Sequence, residues 1–200
     1  MDMNCAEGCD CLPITNKFGP ESEQYPVTLD GNNVSYVCKL ISGEVWTVIQ
    51  RRINGVIDFH SKLWTEYEAG FGSNSNEFWI GLKEIHRLTS VGLTKIRINL
   101  GFEDGSDGYA QYSHFTVGGT DTDYMLTISG YSGTAGDMMI TTDSDVNLNG
   151  MKFSTIDRDN DHYSSGSCAA YYKGAWWFKY CTLSNLNALY NDFNNFAWGP

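Results

Sequence analysis

The sequence predicts an α+β fold organised around an antiparallel sheet. Three observations lead there. Strand-like and short helix-like segments mix without a regular strand–helix–strand rhythm, which argues against a doubly wound parallel sheet. Gly is abundant, at 21 residues against Pro 4, as a turn-rich chain that needs positive φ requires. The region after Leu126 is rich in Gly, Asp and Asn and poor in regular patterning, so its long loops call for a function, a disulfide or a metal to hold them.

Taken in order, residues 1–10 read as a linker or inter-chain stapling segment, because Cys5 and Cys9 precede any periodic pattern. "VSYVCKL" and "VWTVIQRR" are rich in Val, Tyr, Trp and Ile and read as two strands joined by a turn at "ISGE". From Phe59 to Gly72, apolar residues at 59, 63, 64, 67 and 71 keep helical spacing, with Gly70 and Gly72 as the stop. Phe78, Trp79 and Ile80 form a buried run. "TKIRINLGF" alternates as a strand with Ile96, Ile98 and Leu100 on one face, and "GYAQYSHFTVG" and "YMLTISGYSG" give two more strands. "WWFKYC" is short enough to be a strand or a buried loop.

Composition narrows the function. Hydrophobic residues at 42% and aromatics at 14% belong to a globular chain. A net charge of −11 repels phosphate backbones and argues against nucleic acid. No apolar run reaches the ~18 residues of a membrane-spanning helix. The start "MDMNCAEGCDC" lacks the basic and apolar regions of a leader, which fits a processed chain or a segment of a longer one. The even set of Cys at 5, 9, 11, 38, 168 and 181 permits complete pairing, with 11–38 and 168–181 the economical local pairs. Cysteine ligation of a metal is the rival, but no C-x-x-C pair occurs and the His residues are scattered. Disulfides place the chain in an oxidising compartment, with which the sequon "NVS" at Asn33 agrees.

Catalysis finds little support. "GYSGTAG" lacks the Gly that would complete G-x-S-x-G, and no phosphate-cradling Gly-rich motif is present. The acidic run "DRDNDHYSSGSC" says more, because oxygen donors at Asp157, Asp159 and Asp161 suit a hard cation such as calcium. An EF-hand is excluded, since His162 and Cys168 stand where Gly and Glu are required. A non-helical calcium loop and a solvated acidic turn both remain. Downstream, Tyr171, Tyr172, Trp176, Trp177, Phe178 and Tyr180 crowd between two Cys, as core alone or as core plus the rim of a pocket.

Several segments together carry a resemblance: "VWTVIQRRINGVIDF", "YEAGFGSNSNEFWIGLKEIHRLT", "YMLTISGYSGTAGD", "FSTIDRDND", "CAAYYKGAWWFKYC" and "SNLNALY". In this order they resemble the fibrinogen-related domain, shared by fibrinogen C-terminal globes, ficolins, tachylectins and angiopoietins, from Cys11 to about Tyr190, which implies one such domain over residues 11–200. The resemblance implies a small N-terminal subdomain, a central antiparallel sheet and a loop-rich C-terminal subdomain. It implies disulfides Cys11–Cys38 and Cys168–Cys181. It also implies Ca2+ held by Asp159 and Asp161 with the carbonyls of Tyr163 and Ser165 (or Ser164). For lectin-type members it implies an acetyl pocket at Tyr172, Tyr180 and Cys181, with the peptide before Cys181 cis, and with Phe196 and Ala197 aligned to a Tyr-Ala pair. Thr182 stands where His is usual, Ala188 where Gly is usual, and the chain stops at "NFAWGP" before the family's last strand.

The resulting expectation is a secreted, calcium-dependent, lectin-like domain that binds acetylated glycans such as N-acetylglucosamine in innate immune recognition. Its alternative is a protein-binding module in signalling, adhesion or assembly. Neither is an enzyme. Cys5 and Cys9 pair with each other or link chains into a homo-oligomer.

Overall fold

The computed structural model describes residues 2–4, 23–29, 32–92, 94–102, 104–190, 192 and 198–199, with side chains from Tyr36 onward. In chain order the strands are β1 (Asp2–Asn4), β2 (Glu23–Leu29), β3 (Asn32–Ile41), β4 (Glu44–Val48), β5 (Gln50–Arg51), β6 (Phe71–Gly72), β7 (Phe78–Trp79), β8 (Lys95–Gly101), β9 (Asp107–Val117) and β10 (Leu126–Gly133). The helices are α1 (Trp64–Ala69), α2 (Leu82–Ser90) and α3 (Cys168–Tyr171). One antiparallel sheet runs in the order β10-β9-β8-β1-β4-β3-β2, and a smaller one in the order β5-β7-β6. The α+β architecture expected from the sequence is present.

The β3–β4 hairpin closes on Ser42 and Gly43 at φ 51° and 84°, the pair of positive φ values that lets a two-residue turn follow strand twist. Beyond Val48 the chain leaves the large sheet and starts the small one at β5, so "VWTVIQRR" serves two sheets. Residues 2–4, within the segment read as a linker, form β1 and pair with both β4 and β8. Three residues are too few to show a period, but they satisfy backbone groups that two facing strand edges would otherwise leave open. Cys5, Cys9 and Cys11 lie outside the described residues, as does the Asn33 side chain. Cys38 is disulfide-bonded.

Helix α1 is shorter than the spacing predicts. Asp58 accepts from Ser61 Oγ at 2.9 Å and closes a separate turn, which leaves Phe59 to pack on its own. Gly70, at φ 90°, ends the helix; a Cβ there would stand 2.6 Å from the Ile80 carbonyl oxygen. Helix α2 was not foreseen, although Leu82, Ile85, Leu88 and Thr89 all face the core. The aromatic run Phe78–Trp79 hid it by reading as the dominant element.

Alternation in β8 and β9 buries Ile96, Ile98, Ala110 and Tyr112 and turns the intervening residues outward. The core centres on Phe153, whose ring lies 5.3 Å from Tyr67, 6.2 Å from Trp79 and 5.0 Å from Trp177. "WWFKYC" is a buried loop: Trp176, Trp177 and Phe178 are in the core, and Trp177 Nε1 donates to the Tyr124 carbonyl at 2.8 Å. One further tie spans the fold. Glu77 is fully buried and accepts the backbone N–H groups of Ile53, Asn54, Gly55 and Ile57. Burial raises its pKa, but the four amides override that and hold it below the usual carboxylate range.

Candidate functional site

The acidic run leaves the core at Phe153 and is sewn at once to the Cys168–Cys181 loop. Ser154 and Trp176 exchange two backbone hydrogen bonds, at 2.8 and 3.1 Å, and His162 N–H reaches the Lys179 carbonyl at 2.8 Å. Between these ties the three acids separate in role. Asp157 Oδ1 accepts from Thr155 Oγ1 at 2.7 Å and from the Trp64 backbone N–H at 2.9 Å, so it ties the run to the first turn of α1. Arg158 stacks on the Trp64 ring at 4.0 Å and pairs with Asp123.

Asp159 and Asp161 turn the other way. Asp159 is exposed, and its Oδ1 accepts the Asp161 N–H at 3.1 Å. Asp161 is half-buried; Oδ1 accepts from Tyr163 N and Oδ2 from Cys168 N, each at 2.7 Å. Burial pushes the Asp161 pKa up, the two amides oppose it, and the adjacent Asp159 carboxylate pushes it up further. Tyr163 and Gly166 close the next turn, with Gly166 N–H on the Tyr163 carbonyl at 3.1 Å, and Ser165 lies exposed within it. Among the described residues no three or more His, Cys, Asp or Glu gather into a metal-binding group.

The disulfide joins Cys168 and Cys181 with Cα atoms 5.3 Å apart. Cys168 begins α3, and Ser167 caps it by accepting from Ala170 N at 3.3 Å. The loop presents its tyrosines outward. Tyr171 is 70% exposed and Tyr180 50% exposed. Tyr180 packs edge-on to Tyr163 at 5.4 Å, and Tyr171 edge-on to half-buried Tyr172 at 5.0 Å. The Tyr172 carbonyl is fixed by Asn185 Nδ2 at 2.9 Å, and Tyr180 N–H by the Asp145 carbonyl at 2.9 Å.

One expectation for this loop is corrected. No peptide among the described residues is cis, so the Tyr180–Cys181 bond is trans; the chain reverses through a left-handed Cys181 at φ 66° and a Lys179 N–H to Cys181 carbonyl bond of 3.0 Å. At Thr182, a ligand-binding candidate where the usual His donor is absent, the hydroxyl donates to the Ser184 carbonyl at 2.7 Å and accepts Ser184 N–H at 3.0 Å. Phe196 and Ala197 lie outside the described residues. The geometry therefore gathers Asp159, Asp161, Tyr163, Ser165, Tyr172, Tyr180 and Cys181 into one region. Sequence reasoning missed Asp145 and Asn185, whose contributions are a carbonyl and an amide that no side-chain motif announces.

The sequence matches the family of fibrinogen beta and gamma chains, C-terminal globular domain, over residues 7–199. The chain belongs to that family. It is 42% identical over 189 residues to Fibrinogen-like protein A of Apostichopus parvimensis, covering 92% of this chain and 64% of the relative. It is 44% identical over 186 residues to Angiopoietin-4 of Bos taurus, covering 90% of this chain and 36% of the relative. The fold also superposes on lamprey fibrin D-dimer complexed with the peptide ligand Gly-His-Arg-Pro-amide, at a TM-score of 0.80 and 33% identity over 92% of this chain and 61% of that one. The chain thus spans less than two thirds of each of these relatives. Among the described residues no helix is long and apolar enough to cross a membrane.

Proposed function

We propose that this fibrinogen-like domain is an extracellular, non-enzymatic recognition module whose partner is a polypeptide. Its contact surface is the 159–165 turn together with the stapled 168–181 loop. The carrying observation is that this loop holds Tyr171 and Tyr180 rigidly by their backbone while leaving their rings in solvent. Rigid, exposed aromatics beside polar backbone suit peptide recognition, where a few such anchors supply most of the affinity. The lamprey relative holds a peptide on the same fold, which supports the reading. The engaged Thr182 hydroxyl and the trans bond before Cys181 weigh against an acetyl-group pocket.

The donor set fits calcium. Asp161 is raised first by burial and further by the neighbouring Asp159 carboxylate, and a hard cation between the two would offset both costs. Each Asp161 oxygen accepts one amide and keeps capacity for a second partner. The Tyr163 and Ser165 carbonyls are the remaining donors. Bound calcium would supply positive charge and fix the turn. Asp161 itself ties that turn to Cys168, so ordering one loop orders the other.

The test is a peptide selected from a displayed library on the intact chain. Its binding should fall about tenfold in Tyr180→Ala, as expected for a central aromatic anchor, and should weaken in chelator. N-acetylglucosamine should not compete. Retention on acetylated resin with elution by N-acetylglucosamine would replace this reading with the glycan one.

A further inference from the structure

A second candidate site lies on the outward face of the large sheet and shares no residue with the loops just described. There a cleft of about 390 Å³ is lined by Lys39, Arg97, Asn99, Asp107, Tyr109 and Thr134, among others. The alternation that buries Ile96, Ile98 and Ala110 is what brings Arg97, Asn99 and Tyr109 to this face, with Asn99 directly opposite Tyr109 in the β8–β9 register.

Arg97 is the organising group. Its guanidinium lies 3.6 Å from the centroid of the Tyr109 ring, Nε donates to Asn99 Oδ1 at 2.9 Å, and Nη1 donates to Gln111 Oε1 at 3.3 Å. These three neighbours are neutral, and Asp2 stands opposite Arg97 in the β1–β8 register. The three fix the guanidinium plane without neutralising it, and they leave Nη2 without a partner among the described residues. Lys39, from β3, lines the same cleft and likewise pairs with no described carboxylate. Arg97 and Lys39 bring two cations to a cleft whose described lining holds one acid, Asp107, in a chain with 24 Asp and Glu against Lys+Arg 13.

We infer that this cleft binds an anionic saccharide, a sulfated or carboxylated glycan segment. A pre-positioned guanidinium with free N–H donors matches the planar, multidentate acceptors of sulfate and carboxylate. The remaining lining explains why the ligand carries hydroxyls as well as charge. Exposed Asp107 accepts from hydroxyl donors and repels a bare anion, and Asn99 and Thr134 add neutral polar groups. Among the described residues Leu100 is the only aliphatic side chain of the lining, so an acyl chain or an apolar peptide face finds little there to bury.

The test is surface plasmon resonance of the intact chain over immobilised heparin and over hyaluronan, in chelator and in calcium. Heparin should bind in chelator, which separates this site from the calcium-ordered loops. Arg97→Gln and Lys39→Gln should each weaken it about tenfold, the effect of losing one charge-assisted contact, while Arg97→Lys should lose less. Hyaluronan binding as tight as heparin would assign the recognised group to carboxylate, and heparin alone to sulfate. If Arg97→Gln proves unstable by thermal melting, Lys39→Gln decides alone. The inference is overturned if neither glycan binds, if both Gln variants bind as the parent does, or if binding vanishes in chelator. Capture by phosphatidylserine vesicles without either glycan would overturn it as well.

Discussion

Asp157 Oδ1 and the Trp64 backbone N–H meet at 2.9 Å across 93 positions of sequence. The contact caps a helix of the N-terminal half with a carboxylate from the loop that carries the candidate cation site. Replacing Asp157 by Ala removes the cap and the Thr155 partner together, which should cost about 1–2 kcal/mol. Urea unfolding with an unchanged m-value would show it. Calcium affinity should stay close to that of the parent chain; a loss as large as that of Asp159→Ala would make Asp157 a ligand after all.

Glu77 sets a pH dependence. Burial alone would raise its folded pKa, but four backbone amides that prefer the carboxylate hold it below the unfolded value. The stability it contributes is therefore complete above the unfolded pKa and is lost as pH falls through the folded one. Glu77→Gln should cost roughly 3–5 kcal/mol near neutrality, since one amide-facing oxygen is replaced and buried Arg52, 4.0 Å away, loses its counter-charge. Its denaturation curve should also be flatter with pH on the acid side of neutrality. An equally steep acid limb in parent and variant would assign that limb to other carboxylates.

Glu77 also marks where sequence reading stops. Strands of the large sheet were legible because one of their faces is buried and the period of two survives in "TKIRINLGF" and "GYAQYSHFTVG". The site was legible as a set of types: acids in alternation, Cys bracketing aromatics. What a chain written as letters cannot display is direction. Asp157, Asp159 and Asp161 share one spacing, yet the first points to α1 and the other two to each other, because Ser154–Trp176 and His162–Lys179 pin the run at both ends. The cis Tyr180–Cys181 bond was carried over from a family pattern, and backbone geometry particular to this chain overrode it. A lone acid such as Glu77, inside "SNSNEFWI", gives no signal at all, since its partners are backbone amides twenty or more positions upstream.

The Cys168–Cys181 bond closes a sequence separation of 13. In the chain-entropy account such a loop stabilises by about 3 kcal/mol. Cys168→Ser with Cys181→Ser should lower stability by up to that amount and free the tyrosine-bearing loop. Hydrogen exchange at residues 168–181 should rise while the β8–β9 amides stay protected. Uniform loss of protection across both regions would mean that the staple holds the whole domain and not the site alone.

Asp159 and Asp161 should separate cation binding from scaffold stability. Asp159 is exposed and its one described bond is to the Asp161 N–H, whereas Asp161 satisfies the amides of Tyr163 and Cys168. Saturating calcium, at a hundredfold excess over its Kd, should stabilise the parent by about 2.7 kcal/mol through mass action. Asp159→Ala should abolish most of that gain while leaving metal-free stability within about 0.5 kcal/mol of the parent, as for an exposed position. Asp161→Ala should abolish the gain and in addition lower metal-free stability by about 1–3 kcal/mol, because a half-buried amide pair loses its acceptor. Thermal melts with and without chelator distinguish the two. Equal calcium stabilisation in all three proteins would remove the cation from this loop and leave Asp161 as a purely structural tie between the acidic turn and α3.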